Sequence, residues 1–370
     1  MKGLELAEKF FNQVVSKLIE DNFPFLKNNY AGGLLGYGSD ILGHDDELSK
    51  DHEWGPRCNI WLSNDDYNKY AEDISKMLDE KLPKKFLGYS TRYVLDKELG
   101  AFVSTDDLED SIHHVGISTV SRYLKIQHEI EKDFSLYQWL CIPEQKLLEL
   151  TRGKIFYDPV GDITRVRKEF EYLPDEIWKF KMLYAWSSLN DLDIVWVCSV
   201  RDEMLSSRLV VSKIIERIVR LTFLLNRKYY PGTMKWFSRE FYNLPKLAEE
   251  IGPQLEKCLV MSNMNKVIEI LENVFKILLD AHNDLEITDT IKLTEKMLSR
   301  GFRTLSFDNI LEALSDSLPT KLKEMEIWGG CDQWITNSDI LVWSEQYIKF
   351  EEIYKAKSNK KRDGEGDRII

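Results

Sequence analysis

The hydrophobic pattern of the chain changes period near residue 165, and this change constrains the fold more than any other feature. Before it, short apolar runs of strand length alternate with helical segments. Leu4, Leu6, Ala7, Phe10, Phe11, Val14, Val15, Leu18 and Ile19 recur at helical spacing, which predicts an opening amphipathic helix over 3–21. Strands are expected over 30–37, 57–63, 89–95, 99–104, 115–120 and 154–157. Helices are expected over 65–82, with Asn64 or Asp65 as N-cap, and over 144–150. Past residue 165 the strand signals fade. Residues 209–225 and 267–278 each read as a long buried helix, and 340–354 as a further helical stretch. The expected fold class is α+β: a sheet-and-helix unit over 1–165, an all-helical unit over 166–354, and a polar tail over 355–370.

Composition narrows the function classes. Of the 370 residues, 43% are hydrophobic, enough to build two cores. The formal net charge is -12. Duplex binders carry a basic excess because phosphate neutralisation supplies most of their affinity, so a nucleic-acid scaffold is disfavoured. The five cysteines, Cys58, Cys141, Cys198, Cys258 and Cys331, are scattered and form no Cys-x-x-Cys, so neither a disulfide framework nor a structural zinc site is expected. The first residues carry no signal-peptide pattern, and no apolar run reaches the roughly 18 residues that a membrane span needs. A cytoplasmic protein without a membrane partner is the expectation.

The run from Gly36 to Pro56 carries the chemistry. It reads Gly36-Tyr-Gly38-Ser39-Asp40, then an acidic loop, then Asp51-His52-Glu53-Trp54-Gly55-Pro56. A Gly-Ser turn at a strand end exposes backbone N–H groups and a hydroxyl, which suit phosphate oxygens. In extended chain, residues i and i+2 share a face, so Asp51 and Glu53 are expected to aim two carboxylates at one point. Mg²⁺ prefers one or two carboxylates plus phosphate oxygens, which makes these two the candidate metal ligands. Asp45 and Asp46 are further candidate ligands.

Gly38-Ser39 followed by Asp51-x-Glu53 resembles the signature of the nucleotidyltransferase superfamily. The longer run is similar to an uncharacterised bacterial nucleotidyltransferase-like domain family. So are Ile142-Pro143-Glu144-Gln145, Leu148-Glu149-x-Thr151-x-Gly153, Tyr229-Tyr230-Pro231 and Lys235-Trp236-Phe237. Kanamycin nucleotidyltransferase is a distant architectural relative. The resemblance implies a nucleotidyltransferase-fold mixed sheet at the N-terminal end and a helical substrate-side domain after it. It implies Mg²⁺-dependent transfer of a nucleoside monophosphate from a nucleoside triphosphate, ATP being favoured, to a hydroxyl acceptor. Asp51 and Glu53 would hold the metal, and Gly38, Ser39 and Asp40 would sit at the nucleotide, with Arg57 and Lys235 as added contacts. A small molecule is the favoured acceptor, with RNA or protein as alternatives.

Superfamily enzymes usually add a third carboxylate on a later strand, and the run His113-His114-Val115-Gly116-Ile117-Ser118 has none. His114 is the candidate surrogate, with Asp110 or Glu144 as carboxylates that could enter from the side. A nucleotide-binding protein without catalysis is therefore the main rival, and a toxin-like enzyme acting on RNA or protein is another. His44, His52, His113 and His114 lack the spacing for zinc. Trp54 is balanced between base stacking and core, while for Arg57 an ordinary surface arginine is favoured over a phosphate contact. Lys357, Lys360, Lys361 and Arg362 read as a solubilising end.

Overall fold

In the computed structural model, residues 1–107, 109–131, 134–232, 234–298 and 301–355 are described. They form two compact units. The first joins Met1–Phe134 to Gln145–Glu171, and the second joins Ser135–Glu144 to the chain from Tyr172 onward. Of the tail assigned from composition, Lys355 closes a helical turn and residues 356–370 lie outside the described residues.

The first unit opens with α1 (Gly3–Phe10), a π-helical turn at Phe11–Val15, and α2 (Ser16–Asn22), which together form the single helix expected from the spacing. Then come β1 (Tyr30–Leu34), the one-turn α3 (Ser39–Leu42), β2 (Cys58–Leu62) and α4 (Asn64–Lys81). The N-cap of α4 is Ser63, whose hydroxyl accepts from Asp66 N–H at 3.1 Å, one residue earlier than the sequence suggested. Short strands follow: β3 (Lys85–Phe86), β4 (Tyr89–Ser90), β5 (Arg92–Asp96), β6 (Ala101–Ser104), β7 (Ile112–His113) and β8 (Val115–Thr119), leading into α5 (Val120–His128). The chain gives α6 (Leu136–Cys141) to the second unit. It then runs through α7 (Glu144–Thr151), β9 (Lys154–Tyr157) and α8 (Asp162–Glu169). The acidic loop is more ordered than expected, since it holds α3 and a 3₁₀ turn at Glu47–Lys50.

The main sheet has four strands in the order β8-β2-β1-β9 and is mixed. β2 and β8 run parallel, with Cys58 opposite Val115 and Leu62 opposite Thr119. β1 is antiparallel to β2 and to β9. The first helix packs across this sheet through Phe10, Phe11, Val15 and Ile19, and Ile74, Met77 and Leu78 of α4 complete the core. Gly32 explains why a core strand is glycine-rich. A Cβ there would lie 2.1 Å from Cε2 of Phe11, so the phenyl ring occupies the space of the missing side chain.

The second unit is helical. Its long elements are α9 (Asp175–Ser187), α10 (Leu192–Val200), α11 (Met204–Leu225), α13 (Ala248–Val260) and α14 (Met264–Asn283), with the short α12 (Phe237–Tyr242) before α13. Trp178 and Trp186 of α9 are fully buried, and the Trp178 indole donates to Leu224 O at 2.9 Å. To this helical region the structure adds a two-stranded antiparallel ribbon, β10 (Thr294–Met297) with β11 (Arg303–Ser306). The 340–354 stretch is broken into short helical turns, Ser338–Val342, Ser344–Tyr347, Ile348–Phe350 and Glu351–Lys355.

One buried cation organises this unit. Lys181 is 1% exposed and lies 2.5 Å from Glu144 Oε1 and 3.0 Å from Asp332 Oδ1. The other Glu144 oxygen accepts from Tyr230 N–H at 2.6 Å, and Asp332 Oδ2 accepts from Glu144 N–H at 3.0 Å. Burial opposes the charge on Lys181, but Asp332 and Glu144 outweigh it and raise its pKa. No helix among the described residues is long and apolar enough to cross a membrane. All five cysteines are free thiols.

Candidate functional site

The chain leaves β1, turns through Gly36-Tyr37-Gly38 and enters α3 at Ser39. Gly38 has φ +145°, and a Cβ there would lie 2.3 Å from Asp40 Oδ1 and 2.4 Å from Arg57 Nη2. Both backbone conformation and space therefore require glycine.

Beneath this turn sits Arg57, the residue before β2. Its side chain is 7% exposed, so the surface-arginine reading is corrected. Nη2 donates to Asp40 Oδ1 at 2.7 Å and to Tyr37 O at 3.2 Å. Nη1 stands 3.8 Å from Glu53 Oε2, and the buried Nε has no hydrogen-bond partner. Burial opposes the charge on Arg57, but Asp40 and Glu53 outweigh it and raise its pKa. Burial raises the Asp40 carboxyl, and the pull of Arg57 offsets this in part.

Glu53 joins the same cluster from the other side. Its backbone has φ +48°, a left-handed conformation that costs a non-glycine residue energy. It is held by a reciprocal pair: Glu53 N–H donates to Phe102 O at 2.8 Å, and Glu53 Oε1 accepts from Phe102 N–H at 3.0 Å. Glu53 Oε2 is 3.4 Å from His114 Nε2. The His114 ring lies between Tyr93 and Phe102, with centroids at 4.7 and 5.1 Å. Burial, with the field of Arg57, pulls its pKa down to about 3, so it is a neutral imidazole and a weak base near neutrality.

Asp51 differs from expectation. It is not in extended chain: φ is -72° and ψ -35°, and Glu53 is left-handed. Residues i and i+2 share a face only in a strand, and β2 begins only at Cys58. The Asp51 side chain is 61% exposed and pairs with His52. The other acidic candidates serve the backbone. Asp45 Oδ2 accepts from Gly3 N–H at 2.7 Å and from the Trp54 indole at 3.1 Å. Asp46 caps the 3₁₀ turn. Trp54 is buried, which decides its reading in favour of the core.

The proposed Mg²⁺ ligand set does not fit this arrangement. Asp51 faces solvent, one oxygen of Glu53 is bound by a backbone N–H, and a guanidinium faces the other. Among the described residues no group of three or more His, Cys, Asp or Glu is placed to hold a metal ion. β8, the strand beside β2, carries Val115–Thr119 and no carboxylate. Asp110 is exposed at φ +58°, and Glu144 is committed to Lys181 and Tyr230 in the second unit. Lys235 is exposed and also belongs to the second unit.

The structure thus brings Gly38, Asp40, Glu53, Arg57 and His114 together, with Ser39 at the start of α3. Sequence reasoning missed Tyr93 and Phe102, which pack against His114 from a hairpin about sixty residues downstream of the turn; nothing local signals such a contact. A separate cavity of about 1040 Å³ lies at the far ends of β2 and β8, lined by Ser63, Tyr67, Thr119, Arg122 and Arg165 among others.

Residues 139–237 match the model of a family described as a domain of unknown function (DUF4037). No curated protein matches the chain. Among solved structures, it is similar to a nucleotidyltransferase-like protein from Exiguobacterium sibiricum 255-15, at 10% identity over 84% of this chain and 89% of that one, with a TM-score of 0.29. Residues 139–237, which hold the Ile142-Pro143-Glu144-Gln145 and Tyr229-Tyr230-Pro231 motifs, are therefore similar to an uncharacterised domain family.

Proposed function

We propose that this chain binds a nucleoside triphosphate, ATP being the first to try, at the Gly38-Ser39 turn, and transfers its nucleoside monophosphate to a hydroxyl acceptor. The observation that carries the reading is the set of linked contacts at the turn: Asp40 and Arg57 lie against Gly38, whose position admits no side chain, Glu53 faces Arg57, and His114 faces Glu53. Backbone N–H groups and a buried guanidinium beside such a turn suit phosphate oxygens. In the transfer, the acceptor oxygen bonds to the α-phosphorus and the bond to the bridging oxygen breaks. Pyrophosphate leaves with the electron pair, and the acceptor proton passes to water. Catalysis would rest on positioning and charge stabilisation. A small-molecule acceptor is favoured.

A second reading, nucleotide binding without transfer, is favoured by the solvent-facing Asp51 and by a β8 that lacks a carboxylate. Incubating the protein with each α-labelled nucleoside triphosphate and a cell extract separates the two. Label moving to an acceptor with release of pyrophosphate, both lost in Gly38→Ala, supports transfer. Nucleotide that binds while no label moves selects the second reading, and absence of binding removes both.

A further inference from the structure

We infer that Arg57 is the resident cation of this site and that nucleotide is held there without a divalent ion on Asp51 and Glu53; this rests on the nucleotide-binding reading above. The guanidinium lies directly under the turn, since a Cβ on Gly38 would come within 2.4 Å of Nη2. It is only partly used. A guanidinium has five N–H donors, and here Nη2 serves Asp40 and Tyr37 while the buried Nε has no partner. Nη1 has only the ionic contact to Glu53 at 3.8 Å, too long for a hydrogen bond.

Glu53 is thus the weaker held of the two carboxylates, 3.8 Å from the guanidinium against 2.7 Å for Asp40. An arriving phosphate oxygen would exchange with it at Nη1, where a charge-assisted hydrogen bond replaces a long ionic contact. The remaining oxygen of Glu53 stays on the Phe102 N–H in this exchange. Glu53 on this view competes with the phosphate for a cation. A metal ligand would instead recruit the phosphate, and the two roles predict effects of opposite sign on removing the charge.

The test is equilibrium binding of ATP by calorimetry, in excess EDTA and in excess Mg²⁺, for the wild type and Glu53→Gln. We expect binding in EDTA of similar strength to that in Mg²⁺, and severalfold tighter binding in EDTA for Glu53→Gln, because glutamine retains an acceptor for Phe102 N–H and drops the competing charge. Binding seen only with Mg²⁺, or weakened by Glu53→Gln, overturns the inference and leaves nucleotide binding standing. No binding in either buffer overturns both. Arg57→Lys tests the guanidinium itself: a folded variant, checked by its unfolding midpoint, should bind ATP more weakly in EDTA, and unchanged binding would overturn the role of Arg57.

Discussion

Arg57 Nη2 lies 2.7 Å from Asp40 Oδ1, and both side chains are buried. Removing one partner of such a pair strands the other charge. Asp40→Ala is therefore expected to destabilise the first unit by ~3–5 kcal/mol. Part of that loss should return in the double variant Asp40→Ala/Arg57→Met, because the stranded cation is gone. Urea denaturation of the two variants checks this, and a double variant no better than the single one would contradict it.

His114 and His128 give the first unit an acid sensitivity. Burial holds both folded pKa values near about 3, below the ordinary imidazole value of 6.5. Between those values the unfolded chain binds more protons than the folded one. Stability is then full above pH 6.5 and falls as pH drops toward 3. A tenfold change in proton affinity is worth ~1.4 kcal/mol, so each histidine accounts for at most a few kcal/mol. His128 is fully buried and both its ring nitrogens lack partners, so His128→Leu should flatten the slope of stability against pH in that window. Unfolding midpoints followed from neutral to mildly acidic buffer read it directly.

Phe11 and Gly32 are expected to be coupled. Gly32→Ala places a Cβ against the phenyl ring and should cost ~1–3 kcal/mol as overpacking. Phe11→Ala should cost ~3–5 kcal/mol through the cavity it leaves. The double variant should be more stable than the sum of the two costs implies, since each change makes room for or fills the other. A double-mutant cycle that is simply additive would refute the contact.

In the second unit, Lys181→Met leaves Glu144 and Asp332 buried and facing each other. A loss of ~3–5 kcal/mol is expected. Adding Glu144→Gln and Asp332→Asn should recover part of it. Thermal unfolding of the single and triple variants compares them.

Much of the fold was legible, and where reading failed the causes are physical. β9 coincides with its expected range, because its pattern is local and bounded by turns on both sides. The first helix was legible from Leu6, Phe10 and Ile19, though its π turn was not, since one extra backbone residue scarcely disturbs apolar spacing. The β10–β11 ribbon escaped notice because Thr294–Met297 has no apolar alternation to announce it. In the candidate site, a turn at Gly38 was legible, but β1 ends at Leu34 rather than Tyr37 and Ser39 opens a helix. Asp51 and Glu53 were misjudged because this segment was taken as extended chain at a strand entry, while Asp51 is in the right-handed helical region and Glu53 is left-handed. Asp45 was mistaken for a ligand candidate because its partner, Gly3, lies 42 residues earlier.

That last contact makes the acidic loop and the opening helix a single thermodynamic object. One carboxylate oxygen of Asp45 accepts from both the Gly3 amide and the Trp54 indole, so an opening that carries Asp45 away frees both protons together. In hydrogen–deuterium exchange followed by NMR, these two protons, about fifty residues apart in the chain, should be released by the same opening event and at matched free energies.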